Sequence, residues 1–236
     1  MCGVLAVNGN HDTGYGADGT RAQLDRFEAV FGKINARHFF SNHTVLVTVN
    51  AQVLDGAQDS SLEHQPWQTL RQAARLADEG MEVVLALHIP LWKPDGSCPG
   101  DDTVVIKRRG SRNIVKDQTH LSRETTDFIL TNLRPTVVLT GHDHDGCVYR
   151  HNDRTVEYTL RAAQGHYDNC GGLLHLDPTG QMRSTVTTSC LGVTEYLLTI
   201  FILLAIYGLF LPLRLMYTLL EDQLDQEDPE SKFKRS

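Results

Sequence analysis

Six polar residues are spaced so that they could do chemistry together. Asn10, His11 and Asp12 lie in Gly9-Asn10-His11-Asp12, His88 ends the apolar run 82–87, and His142 and His144 follow the apolar run 135–140 within Gly141-His142-Asp143-His144. Groups placed just beyond the carboxyl ends of strands in an α/β sheet converge on one crevice. An amide oxygen and imidazole nitrogens suit zinc, manganese or iron, so Asn10, His88, His142 and His144 are read as metal ligands. A pair of such ions would polarise a phosphoryl oxygen and lower the pKa of a bridging water. His11, next to a ligand, is read as the catalytic residue that offers the leaving oxygen a proton or a positive charge, and Asp12 as the group that fixes its tautomer.

Other histidines carry less. His120, just before a helix cap, and His166, in a Gly-rich turn, are candidates for substrate contact and equally candidates for ordinary loop residues. His38, His43, His64, His151 and His175 are read as surface or packing residues, and Asp143 and Asp145 as solvent-facing or as supports for the ligands.

Positioning such a site takes alternating strands and helices. The apolar segment 4–7 reads as a short buried strand. Thr20 can cap a helix with Leu24, Phe27, Val30 and Phe31 on one face, closed by Gly32. Strands are expected over 43–50, 82–87 and 135–140 and near 155–162, 172–176 and 182–187, with helices over 66–79 and from Ser122 to Leu133. Residues 92–121 show no periodicity and read as a loop of about 30 residues. The order predicts an α/β domain over 1–190, a sandwich of mixed sheets flanked by helices.

The chain has 236 residues and a formal charge of -7. It carries no Lys/Arg stripe interleaved with aromatics, which excludes a nucleic-acid surface. Residues 196–213 hold no charged side chain, and LMYTLL continues the run after Arg214, so a membrane-spanning helix is expected over 195–220, with Arg214 snorkelling to the headgroups. The tail 221–236 lacks apolar periodicity and reads as disordered. Its Lys232 and Lys234 are similar to the dilysine signal that coat proteins read, which would put the C-terminus in the cytosol and the domain in the lumen. Asn42-His43-Thr44 is then a glycosylation acceptor pattern. Cys98 and Cys147 follow His88 and His144 in loops that should converge, and either a disulfide in an oxidising lumen or two free thiols fits the spacing.

GNHDTGYG, LHIPLWKPDGSC, HLSRETTDFIL, LTGHDHDGC and the C-terminal apolar helix together resemble the calcineurin-like metallophosphoesterases. More narrowly, they resemble the endoplasmic-reticulum branch that removes ethanolamine-phosphate from a mannose of glycosylphosphatidylinositol (GPI) anchors. The resemblance implies a two-metal site using manganese, a phosphodiester substrate and residence in the reticulum membrane. It matches Asn10, His88 and His142 to second-metal ligands, His144 to a first-metal ligand and His11 to the catalytic histidine. The family also uses an Asp-x-His and a Gly-Asp-x-x-Asp motif before this point. Only eight residues precede Gly9, so an N-terminally truncated form with an incomplete first-metal site is expected. The rival expectations are another phosphodiester substrate and a non-catalytic, membrane-anchored trafficking factor.

Overall fold

A computed structural model describes residues 5–99, 103–110, 114–163, 170–175, 185–190 and 193–227. The chain divides into two compact units, Met1–Cys190 and Leu191–Ser236. In chain order the first unit contains α1 (Asn10–Thr13), α2 (Arg21–Phe31), β1 (Ala36–Phe39), β2 (Thr44–Thr48), α3 (Ser61–Asp78), β3 (Glu82–Ala86), β4 (Ile106–Arg109) and β5 (Ile114–Gln118). It continues with α4 (Arg123–Phe128), which runs on as a π turn over Ile129–Leu133, then β6 (Val137–Thr140), β7 (Cys147–Arg150), β8 (Val156–Thr159), β9 (Cys170–His175) and β10 (Thr185–Cys190).

A six-stranded sheet in the order β1-β2-β3-β6-β8-β7 forms the frame. Its four central strands are parallel, and β1 and β7 close the two edges antiparallel. Strands covered on both faces need near-continuous apolar sequence, which TVLVT and EVVLA supply. Val45, Val47, Val83, Leu85 and Val138 pack with Leu70 and Ala73 of α3 and with Ile129 and Leu133 into the main core. Two antiparallel ribbons, β4-β5 and β9-β10, stand beside this sheet. The class is therefore mixed α/β with a mixed sheet flanked by helices.

Local signals set the helix ends. Thr20 Oγ1 accepts the Gln23 N–H at 3.3 Å, and Gly32, with φ 87°, stops α2 in a conformation that suits glycine. Ser122 Oγ accepts the Thr125 N–H at 3.2 Å and starts α4.

Several expectations need correction. Residues 5–7 are irregular, not a strand, and Leu5 is 45% exposed. Leu24 and Phe27 are buried, but Val30 and Phe31 are 73% and 52% exposed, so the apolar face of α2 is covered only along its first two turns. Helix α3 begins at Ser61 and carries Pro66 inside it. The stretch 92–121, expected to be a loop, contains the β4-β5 hairpin, and β7 was not expected at all.

The second unit is one helix, α5 (Val193–Glu227), which includes residues 221–227 that read as disordered in sequence. Its Leu197–Leu220 portion of 24 residues is long and apolar enough to cross a membrane. At 1.5 Å rise per residue it reaches about 36 Å, against a hydrocarbon core of about 30 Å.

Candidate metal centre

Three of the candidates meet. Asn10 opens α1, His88 lies two residues beyond β3, and His142 lies two residues beyond β6. Because β3 and β6 are parallel neighbours, their carboxyl ends deliver both histidines to one edge of the sheet. The backbone ties these ends together, since Leu87 N–H donates to Leu139 O and Gly141 N–H to His88 O, each at 3.0 Å. His88 Nε2 sits 2.9 Å from Asn10 Oδ1, and the His88 and His142 rings are 5.1 Å apart, edge to face.

Small residues make room for this ring. A Cβ on Gly9 would meet the His88 ring at 3.2 Å, and one on Gly141 would meet His88 Nδ1 at 3.4 Å. His142 adopts φ 68°, a left-handed conformation that is uncommon for a residue with a side chain and is often found at functional sites.

The electrostatics keep both rings neutral. Burial pushes the His88 pKa down to about 4, with the charge of His142 adding to it and that of Asp12 opposing it. Burial also lowers His142, against a hydrogen bond to the Gln118 carbonyl that favours its charged form. His142 Nε2–H donates to Gln118 O at 2.9 Å and lies 3.4 Å from the Tyr15 hydroxyl oxygen. That leaves the Nδ1 lone pair of His142 as its free donor, the kind of tautomer control that metal-binding histidines use. Tyr15 itself is pushed up to about 12 by burial and by the Asp117 carboxylate, so its O–H stays on. A hydrogen bond from Lys107 leads the causes that hold Asp117 below the usual carboxylate range.

The donor set, an amide oxygen and an imidazole nitrogen 2.9 Å apart with a second imidazole beside them, has the chemistry that a divalent ion takes. Asn10, His88 and His142 would hold it, two neutral imidazoles and an amide. Bound there, it would supply Lewis acidity toward a phosphoryl oxygen. Among the described residues no group of three or more His, Cys, Asp or Glu side chains has metal-binding geometry.

The remaining candidates are placed as follows. His11 is exposed on α1, and its charge, like that of His144, reaches His88. Asp12 Oδ2 accepts the Gly9 N–H at 2.7 Å, so one oxygen of this carboxylate fixes the Gly9-Asn10 backbone. His144 is exposed, and its backbone oxygen accepts the Ala162 N–H at 3.2 Å. His120 is 3% exposed with Nδ1 3.2 Å from Thr119 Oγ1, so it presents almost no surface to a substrate. His166 lies outside the described residues. Asn42 is exposed in the turn between β1 and β2, and Cys98 and Cys147 form a disulfide with Cα atoms 5.5 Å apart.

Sequence reasoning missed the Gln118 carbonyl and Tyr15. A backbone acceptor has no letter of its own, whereas Tyr15, between Gly14 and Gly16 in the same GNHDTGYG run, did carry a signal.

No family model matches the chain. Individual proteins do. An uncharacterised protein of Schizosaccharomyces pombe is 31% identical over 222 residues, covering 83% of this chain and 50% of that protein. Metallophosphoesterase 1 of Mus musculus is 30% identical over 170 residues, covering 63% of this chain and 41% of that protein. Among solved structures, a dimetal phosphatase from Danio rerio is similar over 67% of this chain and 55% of its own, at 14% identity and a TM-score of 0.32. The chain thus spans about half the length of the curated relatives it matches. The likeness to these relatives supports the calcineurin-like metallophosphoesterase family for this chain. Within that family its kin include the proteins called Metallophosphoesterase 1.

Proposed function

We propose that this chain carries the site of a manganese-dependent phosphodiesterase that removes ethanolamine-phosphate from a mannose of GPI anchors at the endoplasmic-reticulum membrane, supporting export of the anchored proteins. The observation that carries the reading is the meeting of Asn10, His88 and His142 at the ends of α1, β3 and β6, with donor atoms 2.9 Å apart and the histidines neutral. His144 adds a ligand, and His11, exposed beside Asn10, gives the leaving oxygen its proton. Helix α5 anchors the domain, with the C-terminus in the cytosol, where Lys232 and Lys234 meet coat proteins. On the lumenal side Asn42 is open to glycosylation and the Cys98–Cys147 disulfide persists.

The test is mass spectrometry of a GPI glycan incubated with the purified chain and manganese, beside a chromogenic phosphodiester. Loss of the ethanolamine-phosphate group, abolished by His142→Ala, is expected. Hydrolysis of the chromogenic compound alone would give the site a different phosphodiester. A second reading is favoured by the donor count, because the three donors that meet serve at most one ion and in-line attack between two ions needs more. Manganese binding with no hydrolysis of either compound would make the chain a membrane-anchored binding or trafficking factor. For the address, replacing Lys232 and Lys234 with Ser is expected to shift the protein toward later compartments in fractionated cells. Unchanged reticular residence would remove the lysines from the account.

A further inference from the structure

Glu157 is a carboxylate where the core calls for a hydrocarbon. It occupies the middle of β8, in register with Val138 of β6, which pairs with Leu85 of β3, which pairs with Val47 of β2. Those three neighbours belong to the main apolar core, and Glu157 is fully buried beside them. A buried ion pair is often matched or bettered in stability by apolar residues of similar volume, so stability does not explain its presence.

Its partners do. Oε1 accepts the Leu91 N–H at 3.2 Å and the Thr140 hydroxyl at 3.1 Å, and Lys93 Nζ, itself buried, lies 3.4 Å away. Oε2 accepts His151 Nε2–H at 2.6 Å. Leu91 is three residues beyond His88, and Thr140 is two residues before His142. One oxygen atom therefore grips both segments that carry the paired imidazoles. Burial pushes the carboxyl up, but the His151 hydrogen bond, the Lys93 charge and the Thr140 hydroxyl outweigh it and keep the group ionised.

We propose that Glu157 is a positioning residue, a buried clamp that joins the carboxyl ends of β3 and β6 and so fixes His88 against His142. It touches no reacting atom. The proposal rests on the reading of those two histidines as metal ligands, and Lys93 serves it by balancing the charge.

The experiment uses the full chain in detergent micelles and reads two quantities. One is amide hydrogen exchange without metal, at Leu91, which donates to Glu157, and at Gly141, whose N–H donates to His88 O. The other is the affinity for cobalt(II), followed by its visible absorption. In Glu157→Leu both amides should exchange ~10-fold faster or more, and cobalt should bind 10-fold to 100-fold more weakly, the usual effect of removing a group that orients ligands. Thr136, whose N–H donates to Val83 O at the end of β6 away from His142, should keep its rate. The double variant Glu157→Gln/Lys93→Met keeps a carbonyl acceptor without either charge, and should restore both readouts to within about threefold of wild type. Thr155→Val is the control for plain destabilisation, since Thr155 is buried and donates to Pro135 O away from the ligands. It should lower thermal stability and leave cobalt binding alone.

Wild-type Gly141 exchange in Glu157→Leu overturns the proposal, as does an equal loss of cobalt affinity in Thr155→Val. Should Glu157→Leu not fold, Thr140→Val cuts the link to β6 together with the Thr140–Thr159 hydroxyl contact, and an unchanged Gly141 rate there overturns it as well. If the wild-type chain binds no cobalt, the ligand reading falls, and the exchange rates alone decide whether Glu157 clamps the two strand ends.

Discussion

His88 Nε2 and Asn10 Oδ1 lie 2.9 Å apart although 78 residues separate them in the chain. Nothing local brings them together. Parallel pairing of β2, β3 and β6 sets His88 at the sheet edge, and the short helix α1 presents Asn10 across from it. The contact can be a hydrogen bond or the gap between two ligands of one ion. His88→Ala and His142→Ala are each expected to lower manganese occupancy after dialysis at least ~10-fold, measured by elemental analysis. Full occupancy in either variant would remove that histidine from the ligand set.

His11 should behave differently. It neighbours Asn10 but is exposed and is not part of the Asn10–His88–His142 contacts. His11→Asn is expected to keep wild-type manganese content and to lower kcat ~10²-fold, the usual size of a general-acid contribution. Loss of metal from this variant would make His11 a ligand or a structural residue instead.

The glycines make a sharper test of the geometry. Gly146 has φ 72°, and a Cβ there would press on the Arg161 side chain and come within 3.0 Å of Arg161 N. Gly146→Ala therefore combines backbone strain with a clash, and a loss of ~2 kcal/mol or more in unfolding free energy is expected from denaturant titration. Gly9→Ala has no such strain, with φ -100°, but its methyl group would displace the His88 ring. It should weaken manganese binding about 10-fold with little change in stability. Equal stability losses in the two variants would mean that the ring cannot move aside, and unchanged manganese binding in Gly9→Ala would mean that the ring moves without consequence for the ion.

Much of this site was legible because its residue types are rare and each follows an apolar run. His88 and His142 needed only the rule that strand ends converge, whereas the run before Asn10 is no strand and α1 presents that residue instead. The supports were not legible. Glu157 alternates with apolar neighbours in VEYT and reads as a solvent-side residue, and only the pairing of β8 with β6 shows which face it takes. Pro66 reads as a helix start because proline suits the first turn, yet Asp59 Oδ1 accepts the Ser61 N–H at 2.9 Å and the helix begins there. The β4-β5 hairpin escaped notice because Lys107, Arg108 and Arg109 leave its first strand without an apolar alternation. The segment 5–7 is apolar but pairs with no strand among the described residues, and apolar sequence without a partner stays irregular.

The Cys98–Cys147 disulfide joins the loop after His88 to the start of β7, across 49 residues of chain. Closing a loop of that length restricts the unfolded chain by up to about 4 kcal/mol, and measured effects are commonly smaller. Cys98→Ser/Cys147→Ser should lower the denaturation midpoint clearly, and reducing agent should have less effect on it than on wild type. A variant as stable as wild type would show that the core holds these loops without the bond.

The last expectation concerns pH. His88 has its pKa pushed down to about 4 by burial, against 6.5 for the ordinary side chain, and His142 is lowered as well. Between those values the unfolded chain binds a proton that the folded chain refuses, so stability rises with pH through this window and is lost as the pH falls from about 6.5 toward 4. Below about 4 both states are protonated and the dependence from His88 ends. Metal-free chain should therefore lose thermal stability on acidification earlier than its carboxylates alone would cause. His88→Gln removes one titrating ring but keeps a polar side chain near Asn10, and its midpoint-against-pH curve should be flatter between 4 and 6.5. Added manganese should steepen the curve of the wild type, because protons and metal compete for the same nitrogen. Parallel wild-type and His88→Gln curves without metal would mean that water reaches the ring freely, and the neutral, desolvated imidazole that the metal centre requires would be lost with it.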